Sequence, residues 1–129
     1  MTIRLDMVGL MVEDMAKSVE FYRRLGIEFP EGSESKQNCS VKFGDLTFFI
    51  NTKELNARWD PKRTDASGGY RVLLEFYLKT RGAVDAKYNE MIGYGYASHV
   101  EPYVTFFNMY FAMVQDPDGN TILLSGEVE

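Results

Sequence analysis

Glu75 is the residue of this sequence whose surroundings most favour chemistry. It lies in the segment RVLLEFYLK, residues 71–79, where an unpaired interior carboxylate would cost several kcal/mol or take up a proton. One interpretation is structural: an ion pair with Arg71 or Lys79, or an exposed strand edge. The other is a cleft acid that binds a cation or acts as a general base. The residues alone leave both interpretations open.

Donors for a transition-metal site are scarce. Zinc, iron, manganese and nickel need about three or more imidazole, carboxylate or thiolate groups that converge on one point. The chain has one histidine, His99, and one cysteine, Cys39. Asp116 and Asp118 belong to a turn sequence, where aspartate binds nearby backbone, and no acidic cluster has the spacing of a magnesium or calcium site. We therefore expect no metal and no other cofactor.

The two lone residues have structural interpretations of their own. His99 precedes Glu101 and Pro102 near a strand end, which favours a surface position, with a cleft proton donor as the alternative. Cys39 is expected to be a small, partly buried residue rather than a nucleophile.

Trp59 is a large apolar residue among charged ones. It either covers a ligand or a subunit interface, or has a plain packing role.

Composition and charge narrow the class of protein. The chain has 129 residues, 45% of them hydrophobic, which is typical of one globular domain. Its net charge of −5 argues against nucleic acid as a partner and permits a cationic ligand. No apolar run reaches the roughly 18 residues that span a membrane, and no signal peptide is visible. With a single cysteine, the cytoplasm is the expected compartment.

Periodicity in the first half predicts a strand, a helix and a hairpin. Residues 3–12 are mostly apolar and indicate a buried strand. Asp14 can cap a helix that starts at Met15, and Gly26 can end it. Gly44 and Asp45 form a two-residue hairpin signal between the strands 41–43 and 46–50. Polar residues 53–69 look like a linker, with a short helix around residues 54–58.

The same pattern restarts at residue 70. A strand over residues 70–79 is followed by a helix that Thr80 can cap and Gly93 can end. Strands are then expected over residues 94–100, 106–114 and 121–125. Each half is therefore expected to contain a strand, a helix and three strands. We predict one domain made of a module at residues 1–52, the linker 53–69 and a second module at residues 70–129.

Two segments carry a family resemblance. MVGLMVEDMAKSVEFYRRLG and VQDPDGNTILLSG together resemble the vicinal oxygen chelate superfamily of glyoxalases, bleomycin-resistance proteins and extradiol dioxygenases. The approach EPYVTFFNMYFAMVQDPDG is also similar, although Phe107 and Asn108 stand where Trp-Gly is common. The resemblance implies an α+β fold, in which two βαβββ modules form curled mixed sheets around a concave cleft.

In enzymes of this superfamily, metal ligands come from equivalent strand positions in both modules. The matching positions here hold Met7, Leu73 and Leu123, and the end of the first hairpin offers Phe49 or Ile50. All are apolar. The resemblance therefore implies a metal-free member of the bleomycin-resistance type, which sequesters a small organic molecule and is usually a homodimer.

Strand alternation predicts which residues share the cleft with these positions. Gly9 and Met11 share a face with Met7. Glu75, Tyr77 and Lys79 share one with Leu73, and Thr121 and Ser125 share one with Leu123. Adding two aromatic residues, we expect the ligand-binding cleft to contain Met7, Gly9, Met11, Trp59, Leu73, Glu75, Tyr77, Tyr110, Leu123 and Ser125.

Two functions from different classes remain open. The favoured one is a metal-free binding protein for a cationic or aromatic organic ligand such as an antibiotic. The alternative is a glyoxalase- or dioxygenase-type lyase or oxygenase, which uses Glu75 as a base or an unrecognised divalent metal site. The loss of every matched ligand position favours binding.

Overall fold

The computed structural model describes residues 2–129, which form two compact units that meet in sequence between Ser67 and Gly68. The segment expected to be a linker, residues 53–69, therefore falls mostly within the first unit. Among the described residues, no helix is long and apolar enough to cross a membrane.

The first unit is built on a small mixed sheet of order β1-β3-β2. Strand β3 pairs in parallel with β1 and antiparallel with β2. Its elements in chain order are β1 (Met7–Val12), α1 (Met15–Leu25), a 3-10 turn (Ser33–Ser35), β2 (Asn38–Phe43), β3 (Leu46–Thr52) and α2 (Lys53–Trp59).

Local signals placed the first unit's helix and hairpin correctly. The Asp14 side chain accepts a hydrogen bond from the Lys17 N–H, and Gly26 ends α1 with a φ of 126°, as predicted. The hairpin at residues 44–45 and the short helix α2 are also confirmed. Two details differ: β1 starts at residue 7 rather than 3, and among residues 2–67 of the first unit two strands follow α1, not three.

Helix α1 packs on one face of this sheet. Tyr22 meets Phe48 edge to face, with ring centroids 5.7 Å apart, and the Cys39 sulfur lies 3.8 Å from that of Met15. Cys39 is buried, and this burial raises the pKa of its thiol. The cysteine is therefore a core residue, as expected.

The second unit is a four-stranded mixed sheet of order β4-β7-β6-β5 with one helix. Its strands β4 and β7 are parallel, and the other neighbours are antiparallel. The elements are β4 (Leu74–Thr80), α3 (Arg81–Gly93), β5 (Ser98–Val104), β6 (Met109–Gln115) and β7 (Thr121–Glu127).

The predicted helix cap and final turn of the second unit are confirmed. Thr80 accepts a hydrogen bond from the Ala83 N–H at 3.1 Å. Asp116 is buried and accepts hydrogen bonds from the N–H groups of Asp118 and Asn120 and from the Asn120 amide, at 2.8–2.9 Å. These bonds close the turn before β7, so Asp116 is structural.

Helix α3 covers one face of the second sheet. Its buried residues Val84, Tyr88 and Met91 lie on the side facing the strands. From β6, Tyr110 donates a hydrogen bond to Asp85 at 2.6 Å, and the Arg81 guanidinium lies 4.4 Å from the centre of the Tyr110 ring.

Replacing Tyr110 with phenylalanine is expected to lower the free energy of unfolding by about 1 kcal/mol at neutral pH. The hydrogen bond to Asp85 raises the pKa of Tyr110, so the fold favours the neutral phenol. That contribution is full below the unfolded tyrosine pKa of about 10 and is lost as the pH rises through the folded value. Urea denaturation should therefore show a shallower alkaline loss in Tyr110→Phe than in the wild type.

Tyr70→Phe is the matched control, because Tyr70 is exposed and contacts His99 only through its ring. It should leave the free energy of unfolding at neutral pH nearly unchanged. An equally steep alkaline loss in Tyr110→Phe and the wild type would contradict the assignment.

Candidate functional site

The sheet of the second unit has one face against α3 and one face away from it, which we call the distal face. Residues paired across neighbouring strands share a face. The observed register therefore assigns to the distal face Glu75 and Tyr77 of β4, Leu123, Ser125 and Glu127 of β7, and Met113 and Phe111 of β6.

Two carboxylates on this face are each held by a hydroxyl group. Ser125, which is buried, donates a hydrogen bond from Oγ to Glu75 Oε2 at 2.7 Å. Tyr77 donates one to Glu127 Oε2, also at 2.7 Å, and this bond raises the pKa of the Tyr77 phenol. Both glutamates are exposed, so each carboxylate can still accept a hydrogen bond from a ligand.

Glu75 lies on an exposed strand edge, which was one of its two structural interpretations. Strand β4 is at one end of its sheet, and no ion pair to Glu75 occurs within residues 2–129. Lys79 leaves the regular alternation, because its φ is 77° and the register with β7 shifts between Tyr77 and Thr80. Leu73 lies just before β4.

An aromatic row borders the carboxylates. Phe111 meets Tyr103 of β5 at a centroid distance of 6.4 Å and Phe107 at 5.6 Å, both edge to face. Phe107 in turn meets the fully exposed Phe106 at 5.0 Å. We call these four residues the aromatic row. Edge-to-face rings of this kind present apolar surface to a flat ligand.

Sequence reasoning missed Phe111, although a usable signal was present. The Asp116 turn pairs Gln115 with Thr121, and this register places Phe111 opposite Ser125. Tyr110 was predicted instead. Because adjacent residues of a strand point to opposite faces, Tyr110 lies on the α3 side with Asp85, and the structure does not bring it to the distal face.

The predicted residues of the first unit also share one sheet face. Met7, Gly9 and Met11 alternate along β1, on the face away from α1, and pair with Thr47, Phe49 and Asn51 of β3. The Phe49 ring lies directly over Gly9, where an added Cβ would come 2.0 Å from Cζ. Of the two residues offered by the hairpin end, Phe49 is therefore the one on this face.

Trp59 and His99 lie at exposed positions. Trp59 is the last residue of α2, and its side chain is largely exposed. His99 is exposed on β5, with its ring centroid 6.4 Å from that of Tyr70, so the predicted surface position is confirmed. The role proposed for Trp59 in covering a ligand or an interface stays a prediction.

The donor chemistry does not fit the divalent metal of the related enzymes. Met7, Leu73, Leu123 and Phe49 carry no donor atom except the weak thioether of Met7. Within residues 2–129, no group of three or more histidine, cysteine, aspartate or glutamate side chains could hold a metal ion. No step of chemistry is therefore assigned to a metal here.

Comparison with known proteins identifies the class. A sequence model described as the glyoxalase/bleomycin resistance protein/dioxygenase superfamily matches residues 4–124. The chain belongs to this superfamily. None of the curated proteins compared with it gives a significant match.

Solved structures agree on the fold. A glyoxalase/bleomycin resistance protein/dioxygenase family enzyme from Burkholderia phytofirmans PsJN is 23% identical, with a TM-score of 0.83 over 98% of this chain and 100% of that one. A glyoxalase-related enzyme from Fulvimarina pelagi is 14% identical, with a TM-score of 0.80 over 96% and 88%. A Nocardioides member is 17% identical, with a TM-score of 0.77 over 100% and 86%. The predicted α+β fold of two βαβββ-type modules with mixed sheets is confirmed.

Proposed function

We propose that this protein binds a small organic cation with an aromatic or apolar body, without a metal ion, and that the distal face of the second unit is the binding surface. One observation carries the proposal: exposed carboxylates share one sheet face with the rings of Phe111 and Tyr103, where the aromatic row begins. Glu75 and Phe111 lie on strands separated by β7, so about 10 Å divides their backbones. A ligand of drug-like size spans that distance.

The charge pattern supports a cation. Glu75 and Glu127 each accept one hydrogen bond from a neighbouring hydroxyl, and an ammonium group can satisfy their remaining lone pairs. Aromatic faces attract the same charge through the ring quadrupole. The net charge of −5 favours the approach of a cation and disfavours nucleic acid.

The biological role in this proposal is sequestration of a compound such as an antibiotic by a homodimer in the cytoplasm. It rests on superfamily analogy, on the apolar residues at the matched metal positions and on the lone cysteine. Elemental analysis of purified protein checks its metal-free character. One equivalent of tightly held zinc, nickel or iron would overturn it.

Glu75→Gln is expected to weaken binding of a planar aromatic cation such as ethidium about tenfold. The substitution removes the charge, but the amide oxygen still accepts the Ser125 hydrogen bond, so the melting temperature should stay nearly unchanged. Fluorescence titration measures the affinity, and the anionic dye anilinonaphthalene sulfonate tests whether the effect depends on ligand charge.

Glu31→Gln is the matched control, since Glu31 is an exposed glutamate of the first unit. It should bind ethidium like the wild type. Unchanged ethidium affinity in Glu75→Gln would contradict the site, and a large stability loss with intact binding would make Glu75 structural.

The alternative, a lyase or oxygenase with Glu75 as a base, is less well supported. Enzymes usually tune a carboxylate base by burying it, whereas Glu75 is exposed. An exposed, solvated carboxylate is better suited to binding a cation.

A further inference from the structure

We propose that residues 2–8, the pairing segment, pair antiparallel with the same segment of a second copy of this chain, about a two-fold axis at Leu5. This inference is independent of the proposed ligand. It gives the expected homodimer a specific interface, which is defined by backbone direction, apolar exposure and charge.

The backbone of the pairing segment has one unused side. Strand β1 ends its sheet in the order β1-β3-β2, and the Asp6 carbonyl accepts a hydrogen bond from the Thr47 N–H of β3. Residues 2–6 precede β1 and are not strand. In the proposed pair they extend β1, and because backbone groups alternate along a strand, Ile3, Leu5 and Met7 then direct theirs away from β3. An open strand edge of this kind is a template for pairing with another chain.

The same three residues expose apolar side chains. Ile3 is 95% exposed, Leu5 71% and Met7 52%. They alternate with polar residues, so they form one apolar side of an extended segment. Antiparallel pairing centred on Leu5 places Leu5 opposite its own copy and Ile3 opposite Met7, and the hydrogen-bonded pairs use the outward backbone groups.

Charge selects this register. Arg4 and Asp6 flank Leu5, so the two-fold places Arg4 of each copy opposite Asp6 of the other, at two equivalent points. A shift that centres the axis on Arg4 or on Asp6 would place like charges opposite each other, which is destabilising. The register therefore aligns backbone, apolar and charged groups at the same time.

Arg4 and Asp6 are available for this exchange. Within one chain their side chains form an ion pair at 2.7 Å, and both are well exposed. Exposed pairs of this kind contribute little to stability, so they can form again between copies at small cost.

Charge reversal tests the proposal. Arg4→Asp makes both positions acidic and Asp6→Arg makes both basic, so each variant should raise the dimer dissociation constant about tenfold in sedimentation equilibrium at low salt. An equimolar mixture of the two should form a heterodimer of near wild-type affinity. The double variant Arg4→Asp/Asp6→Arg should also recover the wild-type constant.

Lys36→Asp and Glu28→Arg are matched controls, since both are exposed charges elsewhere in the first unit, and they should leave the dimer constant unchanged. Circular dichroism checks that every variant is folded. A wild-type chain that stays monomeric, a dimer that ignores the single reversals, or a mixture that restores nothing would each overturn the proposal.

Discussion

Gly126→Ala is expected to lower the free energy of unfolding by about 2–3 kcal/mol. A Cβ at Gly126 would come 2.7 Å from the Thr80 carbonyl oxygen, 2.9 Å from its carbon and 3.0 Å from Val84 Cγ2. The first two are backbone atoms that cannot rotate away. Thr80 also caps α3 and lies at the register shift of β4, so moving it would disturb both elements.

Gly82→Ala is the matched control within the same unit. Gly82 lies in the first turn of α3, and an added Cβ there meets nothing within 4 Å. Because alanine favours helix more than glycine does, this variant should gain about 0.5–1 kcal/mol. Urea denaturation measures both changes. Wild-type stability in Gly126→Ala would show that the strand and the start of α3 can move apart without loss.

Features that depend on neighbouring residues were predictable from the sequence. The caps at Asp14 and Thr80 and the Asp116 turn arise from side chains that bind backbone groups two to four residues away. Such bonds form in the same way wherever the segment lies in a fold. Their order and spacing also carried the family resemblance, so the fold class followed.

Strand boundaries were less predictable, because they depend on pairing partners. Residues 3–6 and 70–73 have strand-like patterns, yet β1 and β4 begin at Met7 and Leu74. In the second unit, β5 and β6 start several residues later than expected. The end of α3 uses Tyr94 and Gly95, whose N–H groups bond back to the helix, and a turn with Asn108 at φ 66° precedes β6.

The residues of the distal face were predictable only in part. Glu75, Tyr77, Leu123 and Ser125 lie together on this face. They could be predicted because the alternation within each strand and the family positions gave the same assignment. Tyr110 does not join them, since an error of one residue moves a side chain to the other face. Phe111 required the register of two strands, which periodicity within one strand does not provide.

Phe111→Leu is expected to weaken ethidium binding about five- to thirtyfold, because stacking and cation–π attraction to one ring are worth about 1–2 kcal/mol. Leucine keeps much of the apolar volume, so the loss of stability should stay below about 1.5 kcal/mol. Phe43→Leu is the matched control: Phe43 is a partly exposed ring of the first sheet that contacts Phe48 at 6.4 Å, and it should leave affinity unchanged.

Combining Phe111→Leu with Glu75→Gln separates the two contributions. The residues lie on strands separated by β7, so they do not touch, and their effects on a ligand that contacts both should add in free energy. A neutral phenanthridine of similar shape should lose affinity in Phe111→Leu but not in Glu75→Gln. If Glu75→Gln weakened binding of the neutral and the charged probe equally, the carboxylate would not act through its charge. That result would contradict the proposal that the distal face is a cation site.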